Sequence, residues 1–449
     1  MKNVLVILSA IIAFVLVSCS NGKSKDKVNT ATVMKKDYVK DATIYEVNIR
    51  QYTPEGTIKA FEKHLPRLKD LGVDILWIMP INPIGELNRK GDMGSYYSVK
   101  NYFEVNPEFG TKEEFRNFVT KAHNMGFKVI LDWVANHSAW DNANVTLHPD
   151  WYTSDSLGNL VSPFDWSDVV DFNYDNKDMR NHMIKALKYW VKEFDIDGYR
   201  CDVAGMVPVD FWENAVHELN KIKPVFMLAE DEGNIDLLKN AFDMHYAWEL
   251  YHIMNEIAKG KQTVADLKNY FDKCDTLYQA DDIKMNLLTN HDENSWNGTV
   301  NERLGEASEA FAVLTFTVPG MPLIYSGQEV NNEKRLKFFD KDEIDWTENR
   351  TTAFYKNLTI LKKNNKALWT PPYGGTFEIL ESNNENVLAY KRVKDDNEII
   401  VILNLSDKEQ TYRLNNVADE YTVYPSHNKD VVNNKEVTLP AWKYRVLIK

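Results

Sequence analysis

The sequence predicts an α/β fold: a (β/α)8 barrel with an inserted domain after its third strand, followed by a small antiparallel β-domain. Three observations predict it. Short apolar runs alternate with helical patterns eight times between residues 41 and 367. A long, aromatic, turn-rich stretch at 137–176 interrupts that rhythm once. From residue 368 the pattern changes to alternating β segments and keeps that character to residue 449. A doubly wound sheet is the other architecture such alternation allows, but no glycine-rich dinucleotide turn follows the first strand.

The elements follow in order. ATIYEVNIRQY (42–52) reads as a strand, TIKAFEKHLPRLKDLG (57–72) as an amphipathic helix closed by Gly72, and VDILWIMP as the second strand, ending at Pro80. KEEFRNFVTKAHNMG then precedes the third strand, FKVILDWV. After the insert, MRNHMIKALKYWVKEF leads to DGYRCDV, and VDFWENAVHELNKI leads to PVFMLAED. AFDMHY and KMNLLTNHD supply strands six and seven. EASEAFAVLTFTV leads to MPLIYSGQE, and TTAFYKNLTILKKNN is the last helix. Barrel residues are thus expected at 41–136 and 177–367.

The N-terminus carries a different signal. Lys2 precedes an apolar run from Val4 to Val17, short for a membrane span and right for a signal segment. Leu16-Val17-Ser18-Cys19 resembles a bacterial lipobox, which implies a signal peptide over 1–19, lipidation of Cys19 and a polar tether over 20–40. The expected location is the bacterial cell envelope, lipid-anchored at the outer membrane or cell surface. Only Cys201 and Cys274 remain beyond Cys19, too few for a disulfide framework, so both are expected to be free thiols.

A net charge of −13 argues against a nucleic-acid partner, which would favour a basic face. It is ordinary for an enzyme acting on neutral substrates. The 12 Trp and 22 Tyr could stack on sugars, although aromatics fill cores more often.

Active sites of such barrels stand at the C-terminal strand ends. Those ends carry Asp132, Asn136 and His137 on strand three, Arg200 and Asp202 on strand four, Glu230 on strand five, and Asn290, His291 and Asp292 on strand seven. Residues i and i+2 of a strand share a face, so Arg200 and Asp202 point the same way. Carboxylates crowded at one mouth repel one another, and a rim selected only for folding would avoid them. Asp132 reads as a structural partner within that rim. Trp140, Trp151 and Trp166 of the insert are as readily loop packing as sugar platforms.

DWVANH, GYRCDV, LAED and LTNHD, in this order on these strands, resemble the strand-end motifs of the α-amylase family of glycoside hydrolases (family 13). YYSVKNYFEVNPEFGT, VVDFN and MPLIYSGQE support the resemblance. It implies a retaining hydrolase of α-glucosidic bonds, expected to be α-1,4, in starch-derived glucans or maltooligosaccharides. Asp202 matches the nucleophile, Glu230 the general acid/base, and Asp292 the third carboxylate that grips sugar hydroxyls. Arg200 matches the partner that keeps the nucleophile ionised, and its charge is expected to lower the Asp202 pKa. His137 and His291 match donors to the sugar, and Tyr97 matches the platform beneath it. Asn136 and Asp171 match positions that hold a structural Ca²⁺ in some relatives, although two oxygen ligands do not make a calcium site. The chemistry itself calls for no cofactor.

The pattern departs from many α-amylases where Gly205 and Met206 replace a Lys-His pair. Acceptor-side preference is therefore open. An α-1,6-glucosidase, faintly suggested by Val203, or a glucanotransferase is the alternative within the family. A non-catalytic glucan-binding relative is disfavoured because all three carboxylates are present.

Overall fold

Eight short parallel strands close on themselves: β1 (Ile44–Val47), β2 (Ile75–Ile78), β3 (Lys128–Trp133), β4 (Gly198–Cys201), β5 (Phe226–Ala229), β6 (Met244–Tyr246), β7 (Ile283–Asn286) and β8 (Met321–Tyr325). Closure is made by β1, which pairs with β2 (Ile44 opposite Ile75) and with β8 (Ile44 opposite Leu323). The computed structural model describes residues 36–449 except 415, 416, 418, 419, 427 and 431–434. The expected lipidation site Cys19, its signal segment and residues 20–35 of the tether lie outside the described residues. Among the described residues no helix is long and apolar enough to cross a membrane.

The period of two along each strand sorts the side chains. Ile44, Ile75, Trp77, Ile130, Phe226 and Leu228 form one apolar cluster inside the barrel. The alternating residues Tyr45, Leu76, Val129, Leu131 and Met227 join the larger cluster shared with the outer helices. The inward parity continues upward through Glu46, Asp132, Arg200, Asp202 and Glu230. The same alternation that builds the core therefore delivers five charged groups to its upper end. Gly198, where β4 begins, is held by crowding: a Cβ there would lie 1.9 Å from Phe226 O.

The helices show why they start where they do. Thr111 caps Lys112–Asn124 through a reciprocal box with Glu114. Asn176 caps Lys177–Phe194, whose buried face runs Met179, Met183, Leu187, Trp190, Phe194. Two expectations change. The first strand stops at Val47, because the Asn48 side chain accepts from Gln51 N and opens a helix over Ile49–Tyr52. The helix expected over 57–72 is broken into Ile58–Phe61, a 3₁₀ turn and Leu65–Leu71, with Pro66 in the first turn of the last piece.

The insert contains a short antiparallel pair, His137–Ala139 with Val169–Asp171. Beyond the barrel, six antiparallel strands form a sheet in the order 376–380, 387–394, 397–404, 444–448, 421–424, 428–430, with a separate pair 410–413 and 436–439. This β-domain is joined to the barrel by Arg392, whose Nη1 donates to Thr317 O (2.9 Å). Cys201 is buried, Cys274 is partly buried, and both are free thiols.

Candidate active site

Arg200 is the centre of the site. It has no solvent exposure, and its guanidinium is surrounded by carboxylates from three strands. Nη1 donates to Asp132 Oδ1 and to Asp202 Oδ1, both at 2.9 Å. Nη2 lies 2.8 Å from Glu230 Oε1, an ionic contact whose angle is too poor for a hydrogen bond. Nε donates to Tyr246 Oη at 3.2 Å. Asp202 and Glu230 keep 11% and 13% side-chain exposure, so both are desolvated yet reachable from the mouth.

One guanidinium facing three carboxylates leaves excess negative charge in a low-dielectric place. Burial first, and the Glu230 charge second, raise Asp202 well above the ordinary carboxylate range, while Arg200 pulls it down. This corrects the expectation that Arg200 holds Asp202 low: its charge is divided among Asp132, Asp202 and Glu230.

A second chain of contacts runs from strand seven to strand one. His291 Nδ1 is 2.5 Å from Glu46 Oε1, and Nε2 is 3.2 Å from Asp292 Oδ2. Burial would lower the His291 pKa, but Asp292 and Glu46 raise it well above its ordinary value. Burial likewise would raise Asp292, yet the His291 charge and hydrogen bond hold it low. Asp292 opens to the pocket with 38% of its side chain exposed. Tyr97 Oη donates to Asp132 Oδ2 (3.0 Å) and is 2.7 Å from His291 Nε2, and its ring stacks on the imidazole at 5.2 Å. His137 is buried and its pKa is pushed down to about 3 by that burial, so it works as a neutral imidazole. Tyr97, His137, Asp202, Glu230, His291 and Asp292 line one cavity of about 530 Å³.

A family model for the catalytic domain of α-amylase matches residues 21–167 and 144–367. The chain belongs to the α-amylase family. A model for the C-terminal domain of maltogenic amylase matches residues 377–446. The α-amylase MalA of Haloarcula japonica is 28% identical over 399 residues, covering 84% of this chain and 57% of MalA, so the chain spans little more than half of that relative. The noncanonic maltogenic α-amylase AmyB from Thermotoga neapolitana superposes with a TM-score of 0.84 at 30% identity, covering 92% of this chain and 99% of AmyB. An α-amylase from Lactobacillus plantarum gives 0.83 at 29%, covering 92% and 100%.

Against that family pattern, Asp202, Glu230, Asp292, Arg200, His137, His291 and Tyr97 are brought together in the one cavity or directly beneath it. Asn136 and Asp171 lie together at the insert: Asn136 Nδ2 donates to Asp171 Oδ1 at 3.4 Å. Among the described residues no group of three His, Cys, Asp or Glu converges as a metal site. Asn136 and Asp171 supply two side-chain groups, where a calcium ion takes six to eight oxygens. Trp166 packs edge-on against His137 at 5.5 Å and lines the pocket, while Trp151 is buried.

Sequence reasoning missed Glu46 and Phe338. Glu46 was visible as a lone charge on the inward parity of an apolar strand. Phe338 stacks on Tyr97 at 6.1 Å and left no local signal. At the family departure Gly205, a Cβ would lie 2.1 Å from Asp231 Oδ2, so any side chain there requires the Asp231 carboxylate to turn away.

Proposed function

We propose that the protein is a retaining hydrolase of α-glucosidic bonds, acting on α-1,4-linked glucans or maltooligosaccharides. What carries the reading is Arg200 joined to both Asp202 and Glu230 beneath an open cavity. Asp202, ionised, attacks the anomeric carbon as Glu230 gives its proton to the departing glycosidic oxygen. The C1–O bond breaks and a β-linked glycosyl–Asp202 ester forms. Glu230, now a carboxylate, takes a proton from water as that water attacks C1, and Asp202 leaves as a carboxylate. Two inversions give net retention. Asp292 and neutral His137 bond sugar hydroxyls, and Tyr97 supports the ring.

Because Asp202 rests with a raised pKa, the active form grows in as pH rises through its ionisation. Proton NMR of the first product separates the mechanisms: α-anomer is expected, and initial β-anomer would remove Asp202 from the nucleophile role. A substrate panel of maltooligosaccharides, pullulan, isomaltose and cyclodextrin reads the linkage. The missing side chain at Gly205 favours one second reading, a transferase or α-1,6-glucosidase with a reshaped acceptor side, which would appear as longer glucans or as isomaltose cleavage.

The proposal extends to an envelope lipoprotein anchored through Cys19, supported by Leu16-Val17-Ser18-Cys19 behind an apolar run. Metabolic labelling with a fatty acid is expected to mark the wild type and not Cys19→Ala; equal labelling, or none, rejects the anchor.

A further inference from the structure

The cavity is walled on one side and open on the other. Glu230 follows β5. The leaving part of a glucan must lie where Glu230 can protonate it, so the sugar bonded to Asp202 extends away from β5. In the ring of eight strands β1 stands opposite β5, flanked by β8 and β2.

The loops after those strands are tied together there. Arg50, just beyond β1, is 1% exposed. Its Nη1 donates to Gly94 O (2.9 Å) and Phe338 O (3.3 Å), and its Nη2 donates to Met93 O (3.3 Å). Met93 N donates to Phe339 O (3.0 Å) and Asp92 N to Asp340 Oδ1 (2.8 Å). Gly91 presses so close that a Cβ would meet the Phe339 Cβ at 2.5 Å. The remaining gap, between the loop after β2 and the insert, is crossed by Lys90 Nζ to Asp168 Oδ1 at 3.0 Å. Ser98 Oγ also donates to Asp168 O at 3.0 Å. Trp296, 53% exposed, forms the rim by packing on Phe338 and Phe339 at 5.2 and 5.7 Å.

A buried guanidinium bonded to loop carbonyls is costly to expose or leave unpaired, so it locks these loops in place. Beside β5, the loop after β4 carries Gly205, with no side chain, and Met206, 40% exposed.

We propose that this wall ends the glycone side of the cleft, so that the protein removes short pieces from non-reducing chain ends and does not cut within long chains. The inference rests on the hydrolase reading, which sets the direction of the substrate. Lys90 and Asp168 offer a donor and an acceptor to the outermost hydroxyls of the terminal sugars, and Trp296 offers a ring face.

The test compares two maltoheptaosides that carry the same reducing-end chromophore, one with a free non-reducing end and one with that end closed as a cyclic acetal. The free substrate is expected to be cut at least about tenfold faster, the discrimination a closed pocket gives against an added group. Rates for the two within about twofold of each other overturn the proposal. In the double variant Lys90→Ala/Asp168→Ala the gap opens and the ratio is expected to fall towards unity. Trp296→Ala lowers the rim and is expected to move it the same way without touching the ion pair. An unchanged ratio in both folded variants overturns the assignment of the wall. Failure of the hydrolase reading looks different, because neither substrate is then cut.

Discussion

Arg200 and Arg392 are both buried guanidinium groups, and they do opposite work at the two ends of the barrel. Arg200 faces three carboxylates at the mouth. Burial would lower its pKa, but Asp132 and Glu230 raise it well above its ordinary value. Arg392 faces main-chain carbonyls at the junction with the β-domain: Thr317 O, Gly375 O and Thr376 O. Burial pulls it down to about 10. Lys362 shares that junction, donating to Gly320 O (3.1 Å) and Leu368 O (2.9 Å), and burial pushes it down to about 7. The difference teaches how to read a buried cation. Carbonyl partners make a crosslink that holds two units together, whereas several carboxylates on one cation hold negative charge where a substrate can use it.

Arg200→Leu breaks the comparison most sharply. The kcat is expected to fall by about 10²- to 10³-fold, as for loss of a central electrostatic group, while circular dichroism stays native. Retained activity would make the mouth cluster as structural as the junction. Arg392→Leu should do the reverse. Stranding its carbonyls is expected to cost about 3 kcal/mol in urea unfolding, with kcat/KM unchanged. A large loss of activity there would erase the distinction.

Lys362 sharpens it through pH. Its folded pKa is about 7 against an ordinary 10.5, so between those values the unfolded state holds a proton that the folded state lacks. The destabilisation is full below pH 7 and fades as pH rises towards 10.5. This group alone should therefore raise stability by up to about 1.4 kcal/mol per pH unit across that window. Lys362→Met should flatten the profile relative to wild type; parallel profiles would mean that the lysine keeps its charge.

The smallest expected effect is at Glu46→Gln, which touches only the second ring of the mouth. Removing one of the two carboxylates that raise His291 should lower the histidine's pKa, visible by NMR of the imidazole. Catalysis should drop by about tenfold, as for the loss of one hydrogen bond of roughly 1.4 kcal/mol. For His291 the sign is that its stabilising contribution is present below about 6.5 and lost as pH rises through the raised folded value. Glu46→Gln should shrink that window. An unmoved imidazole titration would detach Glu46 from the site.

The barrel was legible in the chain because its signals are local. Period-two alternation put Arg200 and Asp202 on one face, and Gly72 closed the first helical stretch. Ordered strand-end motifs brought Asp202, Glu230 and Asp292 to one rim without reference to coordinates. Even so, local signals erred where two local preferences competed, as at Asn48, whose side chain capped a helix inside an apparent strand.

What eluded the sequence depends on atoms far apart along it. Glu46 meets His291 across 245 residues. Arg50 ties Met93 to Phe338, and Lys90 reaches Asp168. The Asp231 carboxylate fills the space a side chain at Gly205 would take, although the two share no motif. The raised pKa of Asp202 is of the same kind. An i, i+2 spacing shows that a guanidinium and a carboxylate share a face, but it does not show how many other carboxylates divide that cation or how little water remains. Periodicity is a property of neighbours in the chain; desolvation and charge sharing are properties of neighbours in space, and only folding sets those.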